Sequence, residues 1–363
     1  MRIGVDAREV GGRPTGVGRY LSGLLRQWAA TDRTRAHEFV LYAAEPITMP
    51  LDARRFATRV VAGAPGTWWE QVRVPAVAAR DHLDVWFAPA YTAPLRLAVP
   101  IVVTIHDLSF VAHPEWFTLR EGVRRRFITR HTARRARAII TVSDVSRDEI
   151  GDRLGVPAGA IHVIPQGIGE IVDGLEPHRT ASDPRLLYSG SIFNRRHVPD
   201  LIRAFAALAR RYLAASLDLV GDDRSFPAEN IADLIERQEL GDRLRWHRYA
   251  SEDQLRTLYA RARAFAFLSE YEGLGMTPLE ALAAGVPPVL ADTKVARASC
   301  GDAALYVPIG DIPAATAALE QALFDEPTRA RILDSAAAVL PRYQWPRAAA
   351  ETLAVIEAAG RTA

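Results

Sequence analysis

Short apolar, β-branched runs alternate with longer amphipathic runs along almost the whole chain, and this alternation occurs twice. A strand that pairs in parallel with the next one needs a crossover of a dozen or more residues, so this pattern specifies parallel sheets covered by helices. In the first half, strands are expected at Arg2–Asp6, Phe39–Tyr42, Val85–Ala88, Ile101–Ile105, Ile139–Val142 and Ile161–Ile164. Helices are expected at Gly18–Ala30, Leu119–Ala136 and Ser146–Leu154, the last opened by Ser146-Arg147-Asp148-Glu149 at capping-box spacing. Gly167 to Pro184 has no period and carries glycines, prolines and charges, the signature of a linker.

The alternation then restarts. Strands are expected at Leu186–Ser189, Leu217–Val220, Leu244–His247, Phe265–Leu268, Pro288–Ala291 and Ala304–Val307. Between and after them, helices are expected at Pro199–Tyr212, Ala228–Gln238, Ser251–Ala262, Pro278–Ala284, Ile312–Leu323, Thr328–Val339 and Pro346–Ala359. The expected fold is α/β, with two doubly wound, Rossmann-like halves. Ligands of such sheets bind beyond the carboxyl ends of the strands, so the loops there are where function is sought.

Composition narrows the classes. The hydrophobic fraction of 49% and charged fraction of 24% are those of an ordinary globular chain. No run of eighteen apolar residues is present, which argues against a membrane-spanning helix. Met1-Arg2-Ile3-Gly4-Val5-Asp6 has no apolar secretory core, and the lone Cys300 excludes a disulfide framework and a cysteine-based zinc site. A cytoplasmic location is therefore expected. Of the 45 basic residues only Lys294 is lysine, so arginine takes positions where lysine would otherwise serve.

Five segments could carry chemistry. Thr15-Gly16-Val17-Gly18-Arg19-Tyr20 follows the first strand, and its glycines would let backbone amides approach an anion. A flexible loop at a helix start explains it equally well. A dinucleotide fingerprint fails, because position 21 is leucine. Thr104-Ile105-His106-Asp107 ends a strongly apolar strand, where His106 could meet a ligand or simply satisfy loop backbone. The segment from Arg120 to Arg137 carries eight arginines, with 126, 130, 134 and 137 sharing a face. It suits an anionic membrane surface or a phosphorylated acceptor, or is a solvated face. Aromatics are not interleaved as base-stacking platforms would require, so nucleic acid is not expected as a partner.

Beyond the first strand of the second half, Ser189-Gly190-Ser191-Ile192-Phe193-Asn194-Arg195-Arg196-His197 places two arginines where a phosphate could bind; an exposed turn is the alternative. The most specific segment is Ser269-Glu270-Tyr271-Glu272-Gly273-Leu274-Gly275-Met276-Thr277-Pro278-Leu279-Glu280, continuing to Ala281-Leu282-Ala283-Ala284-Gly285-Val286-Pro287. Thr277 is expected as a helix N-cap, Pro278 as the first helical residue and Glu280 as the partner in a capping box. Free amides near Gly275 to Thr277 would favour a diphosphate. No such structural reason accounts for Glu272.

Together these residues resemble glycosyltransferase family 4, retaining enzymes of the GT-B fold, with a likeness to bacterial mannosyltransferase-like members. The E-G-x-G-x-x-P-L-E-A-x-A-x-G-x-P frame around Glu272 and Glu280 carries the likeness. T-G-V-G-R-Y at 15–20, I-H-D at 105–107, T-V-S-D at 141–144, I-P-Q-G at 164–167, Y-S-G-S at 188–191, L-V-G at 219–221, G-D-A-A-L at 301–305 and Tyr343-Gln344-Trp345 extend it nearly end to end. The resemblance implies two facing domains with a cleft between them. The first is an acceptor-side domain at 1–170, onto which a helix at about 346–363 folds back. A linker at 171–184 and a nucleotide-sugar donor domain at 185–345 follow. It implies that Glu280 holds the donor ribose and that Glu272 faces the donor sugar. Arg196 stands at the family's phosphate-binding lysine, with Arg195 assisting. Gly16 and Gly18 would let a loop close over the phosphate, and His106 would lie beside the transferred sugar. Tyr249 would sit where the backbone reads the base, and Gly273, Leu274, Gly275, Met276 and Thr277 would line the donor. Arg248 and Arg297-Ala298 stand where the family commonly has glycine and Pro-Glu.

The implied activity is metal-independent, retaining transfer of a hexose, with a lean to mannose. The donor is a nucleoside-diphosphate sugar and the acceptor a glycan or a polyprenyl-linked molecule. No Asp-x-Asp cluster stands in a strand-end loop and no cofactor is expected. A peripheral position at the inner face of the plasma membrane follows if the Arg120–Arg137 segment and Trp68-Trp69 meet lipid. The rival readings are a GT-B sugar-phosphate synthase or epimerase, and an inactive nucleotide-sugar-binding protein.

Overall fold

The computed structural model describes residues 1–11, 16–169, 172, 174–175 and 183–361. Most of the linker expected at 171–184 lies outside the described residues, as do Thr15 of the glycine motif and the last two residues of the chain. The chain divides into two units. One comprises residues 1–114, 119–167 and 343–363, and the other comprises 115–118 and 168–342.

Among the described residues the first unit has seven strands. They are β1 (Arg2–Asp6), β2 (Glu38–Ala43), β3 (Phe56–Val60), β4 (Val85–Ala88), β5 (Ile101–Thr104), β6 (Ala138–Thr141) and β7 (Ile161–Val163). They form one parallel sheet in the order β3-β2-β1-β4-β5-β6-β7. Every residue of β4, β5 and β6 is buried, as continuous apolar runs require when helices cover both faces. β3 is a strand that the pattern does not predict. It pairs only with β2 and buries only Phe56, so its Phe-Ala-Thr-Arg-Val sequence lacks the apolar density of the inner strands.

Trp28, Phe39 and Phe56 stack successively at 5.2 and 4.8 Å in the core of this unit. The final helix, Trp345–Arg361, packs on the same core, where the Trp28 indole donates to Ala349 O at 3.0 Å. Gly23 makes that packing possible, because a Cβ there would lie 2.5 Å from the Trp345 ring.

The second unit repeats the architecture with six parallel strands. These are β8 (Arg185–Ser189), β9 (Ser216–Val220), β10 (Leu244–His247), β11 (Ala264–Phe267), β12 (Pro288–Ala291) and β13 (Leu305–Val307), in the order β10-β9-β8-β11-β12-β13. Strand order reverses between β1 and β4 in the first sheet and between β8 and β11 in the second. The loops leaving these pairs flank the crevice where an open α/β sheet takes its ligand.

Two helix caps differ from those the sequence suggests, for one physical reason. The residue that leaves helical geometry lies earlier in the chain. Ser143, not Ser146, is the N-cap of the helix Asp144–Leu154. Its backbone is extended, and its hydroxyl accepts the Ser146 N–H at 3.1 Å. Gly275, not Thr277, precedes the helix Met276–Ala283, at φ 82°. That left-handed conformation suits glycine, and it puts Thr277 and Pro278 in the first turn, where proline's missing N–H is no loss. Glu280 therefore closes no capping box. Among the described residues no helix is long and apolar enough to cross a membrane.

Candidate functional site

In the second unit, the loops after β8 and β11 bring Arg195, Arg196 and Glu272 together. Glu272 Oε1 accepts from Arg196 Nε at 3.1 Å and from the Ser269 hydroxyl at 2.9 Å, and it lies 3.9 Å from Arg195 Nε. The Arg196 guanidinium also donates to Ser191 O at 2.7 Å and sits 4.9 Å from the Phe267 ring centroid. Gly190, at φ 147°, allows this seating, since a Cβ there would lie 2.5 Å from Arg196 Nη1. Burial works to lower the Arg196 pKa, but Glu272 and Tyr188 outweigh it and raise the value, so the cation is firmly held. Burial pushes the Tyr188 phenol up to about 12.

The two loops are tied further. Glu270 N donates to Arg195 O at 2.9 Å, and His197 reaches both Asp200 (3.2 Å) and Glu270 (3.5 Å). Asn194 fastens a third loop, accepting from Phe226 N at 2.6 Å and donating to Pro227 O at 2.9 Å. Sequence reasoning missed Ser269, Glu270, Asn194 and His197 as supports. Each stands within three residues of one it did single out, but pairing across loops is invisible in a linear reading.

The glycine-rich turn leads into the helix Met276–Ala283. Glu272 and Gly275 line a cavity of about 20 Å³ with Leu274, Thr293 and Ser299. Gly273 and Leu274 are buried, and Leu274 O accepts from the Ser299 hydroxyl at 2.7 Å. Met276 opens the helix, so amides of the first turn lack helical acceptors. Two buried polar atoms in this region, Arg195 Nε and Thr277 Oγ1, have no hydrogen-bond partner. Both can donate, which is the complement of an oxyanion. Glu280, one turn further on, is 1% exposed and accepts from the Tyr259 hydroxyl at 3.4 Å. Tyr249 is not part of the cluster: it follows β10, two strands away from β8, and is 58% exposed. Arg248 beside it lies 4.2 Å over Trp246. At Arg297-Ala298 a helix forms nonetheless, Lys294–Cys300, capped by the Thr293 hydroxyl, with Arg297 forked onto Asp292.

In the first unit, His106 follows β5. Its Nε2 donates to Pro89 O at 2.9 Å, and its ring meets Tyr20 edge-on at 4.8 Å. The Tyr20 hydroxyl is 3.3 Å from Thr104 Oγ1. Burial lowers the His106 pKa, against the pull of Pro89 O and Asp107, so the neutral ring is favoured with Nδ1 as its acceptor. Gly16 and Gly18 lie in the first turn of the helix Gly16–Ala30 rather than in a loop. A Cβ on Gly16 would meet nothing within 4 Å, so no packing demands glycine there.

The basic segment is partly spent internally. Arg126 donates to Phe110 O at 3.2 Å, Arg135 donates to Leu97 O at 2.9 Å, and Arg125 pairs with Glu121. What the helix Leu119–Arg135 exposes is Leu119, Val123 and Phe127 at four-residue spacing, among Arg120, Arg124, Arg130 and Arg134. The paired tryptophans divide: Trp69 is in the core, donating to Val61 O at 2.8 Å, and Trp68 is 68% exposed. Among the described residues no group of three or more histidine, cysteine or acidic side chains is placed to hold a metal.

Comparison with known proteins agrees with this architecture. Residues 14–169 match the family model "Glycosyltransferase Family 4", and residues 176–338 match "Glycosyl transferases group 1". O-antigen chain mannosyltransferase B of Escherichia coli is 29% identical over 292 residues, 77% of this chain and 76% of that one. Sucrose-phosphate synthase of Thermosynechococcus elongatus superposes with a TM-score of 0.81 at 17% identity, over 100% of both chains. HepE of Anabaena, in complex with UDP and glucose, superposes with a TM-score of 0.75 at 18% identity, over 99% of this chain and 100% of that one. The chain belongs to the GT4-like glycosyltransferases of GT-B fold, related to bacterial mannosyltransferases, which move a sugar from a nucleoside-diphosphate donor to an acceptor.

Proposed function

We propose that the second unit binds the donor diphosphate between Arg195, Arg196 and the first turn of the helix Met276–Ala283, and that transfer retains configuration without a metal. The observation that carries this reading is the sharing of Glu272 Oε1 by Arg196 and Ser269, next to Arg195 Nε and Thr277 Oγ1, two buried atoms with no hydrogen-bond partner. Breaking the sugar–phosphate bond develops negative charge on the diphosphate. Two arginines and oriented amides supply fixed positive potential where that charge appears, the task a divalent cation performs elsewhere. Glu272 holds Arg196 in place through Oε1 and offers its other oxygen to a donor sugar hydroxyl. Glu280 holds the ribose, and the neutral His106 ring accepts a hydroxyl at Nδ1 on the acceptor side. Gly273, Leu274, Gly275 and Met276 shape the donor wall and Tyr249 the base end, while Gly16 and Gly18 keep the start of the helix Gly16–Ala30 open to an anion. No side chain is assigned as a covalent nucleophile.

The donor sugar is a hexose, and mannose is favoured because the E. coli relative is named a mannosyltransferase. The name of that relative also favours a glycan or polyprenyl-linked acceptor in surface-polysaccharide synthesis. A cytoplasmic protein resting on the inner membrane face fits the exposed Leu119, Val123, Phe127 and Trp68 among arginines. The test is transfer from GDP-mannose and UDP-glucose in excess EDTA. Turnover is expected to persist. Loss in EDTA that magnesium or manganese restores would overturn the metal-free mechanism.

A further inference from the structure

The carboxyl ends of β8, β9 and β10 are laced together. Gly190 N donates to Val220 O and Gly221 N to His247 O, both at 2.9 Å. Gly221 has no room for a side chain, because a Cβ there would collide with Gly190 O. Gly221 O in turn accepts the Trp246 indole N–H at 2.8 Å. Contacts therefore run unbroken from Gly190, which seats Arg196, to the end of β10, two strand spacings or about 10 Å away. Arg248 stands at that end. It is exposed, and its guanidinium carbon lies 4.2 Å over the Trp246 ring. Indole and guanidinium attract, and Gly221 O fixes the indole, so the fork is held in place by the protein itself. Among the described residues no carboxylate pairs with Arg248. Elsewhere in this unit Arg196 faces Glu272, Arg203 faces Asp200 and Arg297 faces Asp292. Three residues beyond Arg248, Ser251 opens the helix Glu252–Arg261 with a full capping box, and Tyr259 of that helix donates to Glu280. Arg248, Arg196 and Glu280 thus belong to one frame.

We propose that Arg248 selects the base of the donor, its forked N–H groups bonding the paired acceptors of a guanine edge, so that the donor is a guanosine-diphosphate sugar. The proposal rests on the reading of this unit as the donor site, and adds to it the base and the residue that chooses it. With the diphosphate at Arg196 and the ribose at Glu280, the end of β10 is where the frame offers the base a side chain with donors to spare. Guanine carries two acceptors, O6 and N7, side by side on one edge, and the planar fork of an arginine matches both. Adenine sets an amino donor beside its N7, cytosine presents an amino donor, and uracil carries the single acceptor O4. Guanine alone satisfies both arms of the fork.

Calorimetry on the full chain with GDP, ADP, UDP and inosine diphosphate, in excess EDTA, tests the assignment. Inosine diphosphate keeps O6 and N7 but lacks the amino group of guanine. It should bind about as well as GDP, and both should bind about tenfold or more tighter than ADP and UDP, the scale of one bidentate base contact. Arg248→Ala should weaken GDP by about that factor and UDP by less, so that the preference collapses. An unfolding temperature equal to that of the wild type shows that this variant folds. Arg248→Lys keeps the charge without the fork and should restore little of the preference. Arg196→Ala should instead weaken all four diphosphates and leave their order unchanged. Wild-type GDP binding no tighter than that of ADP and UDP, or a preference for GDP that survives in Arg248→Ala, would overturn the base assignment and leave the diphosphate site standing. Failure of every diphosphate to bind would overturn both.

Discussion

At the ends of β8 and β11, two arginines and a serine converge on one oxygen of Glu272 within 3.9 Å. At the end of β5, an uncharged imidazole leans on a tyrosine ring and donates to a backbone carbonyl. Both places lie beyond the carboxyl edge of a parallel sheet, yet one is built from full charges and the other from dipoles and ring edges. The difference fits the two halves of a displacement. The leaving diphosphate gathers negative charge and needs fixed cations, whereas the acceptor hydroxyl is neutral and needs orientation. Charge also has a structural cost. A buried arginine is tolerable only beside its counterion, and the loops after β8 and β11 are cross-linked through Asn194, Arg195, Arg196 and His197.

The largest expected effect comes from breaking the charged site. Arg196→Ala should cost about 100-fold or more in transfer, in line with losing a principal electrostatic donor. It also strands the Glu272 carboxylate, so Arg196→Lys, which keeps the charge but loses the bond geometry to Ser191 O and Glu272, should fall between. Steady-state rates within threefold of wild type for Arg196→Ala would erase the proposed contrast between the two sites.

The contrast also explains what the sequence makes legible. Arg195, Arg196, Glu272 and Gly275 stand in two contiguous loop segments, so residue type and spacing point to them before any coordinates. The histidine site is assembled from residues 20, 89, 104 and 106, and no local pattern joins Tyr20 or Pro89 O to His106. Most strands are legible to within a residue or two because burial on both faces enforces apolar runs. The edge strand β3 escapes because it buries only one side chain, Phe56. The helix starts at Ser143 and Gly275 escape for another reason. Backbone conformation decides a cap, and a serine, threonine or proline inside the first turn mimics one.

A smaller effect should separate ribose binding from chemistry. Glu280→Gln keeps the shape of a side chain that is 1% exposed but removes its charge. It should raise the donor KM by about tenfold, the scale of one lost charged hydrogen bond, with kcat nearly unchanged. An equal fall in kcat with unchanged KM would place Glu280 at the reacting centre instead.

The smallest effect should appear at the histidine. Burial holds the folded-state pKa of His106 below the ordinary imidazole value of 6.5. The folded state therefore resists a proton that the unfolded state accepts. The neutral ring's contribution to stability is fully present above that ordinary value and declines as pH falls below it toward the folded pKa. Thermal denaturation should show this acid-side decline, and His106→Gln should flatten it by a small margin. An unchanged pH dependence in His106→Gln would assign the decline to other groups.

The central claim is that the arginine and glutamate loops of the second unit hold the nucleotide's diphosphate without a metal. Calorimetric titration of UDP and of GDP into the wild-type chain and Arg196→Ala, in excess EDTA, tests it most directly. The account predicts that one nucleotide binds the wild type without metal and that Arg196→Ala weakens it by about tenfold or more, as loss of a buried charge-assisted contact requires. Equal binding by both proteins, or binding only after a divalent cation is added, would contradict it.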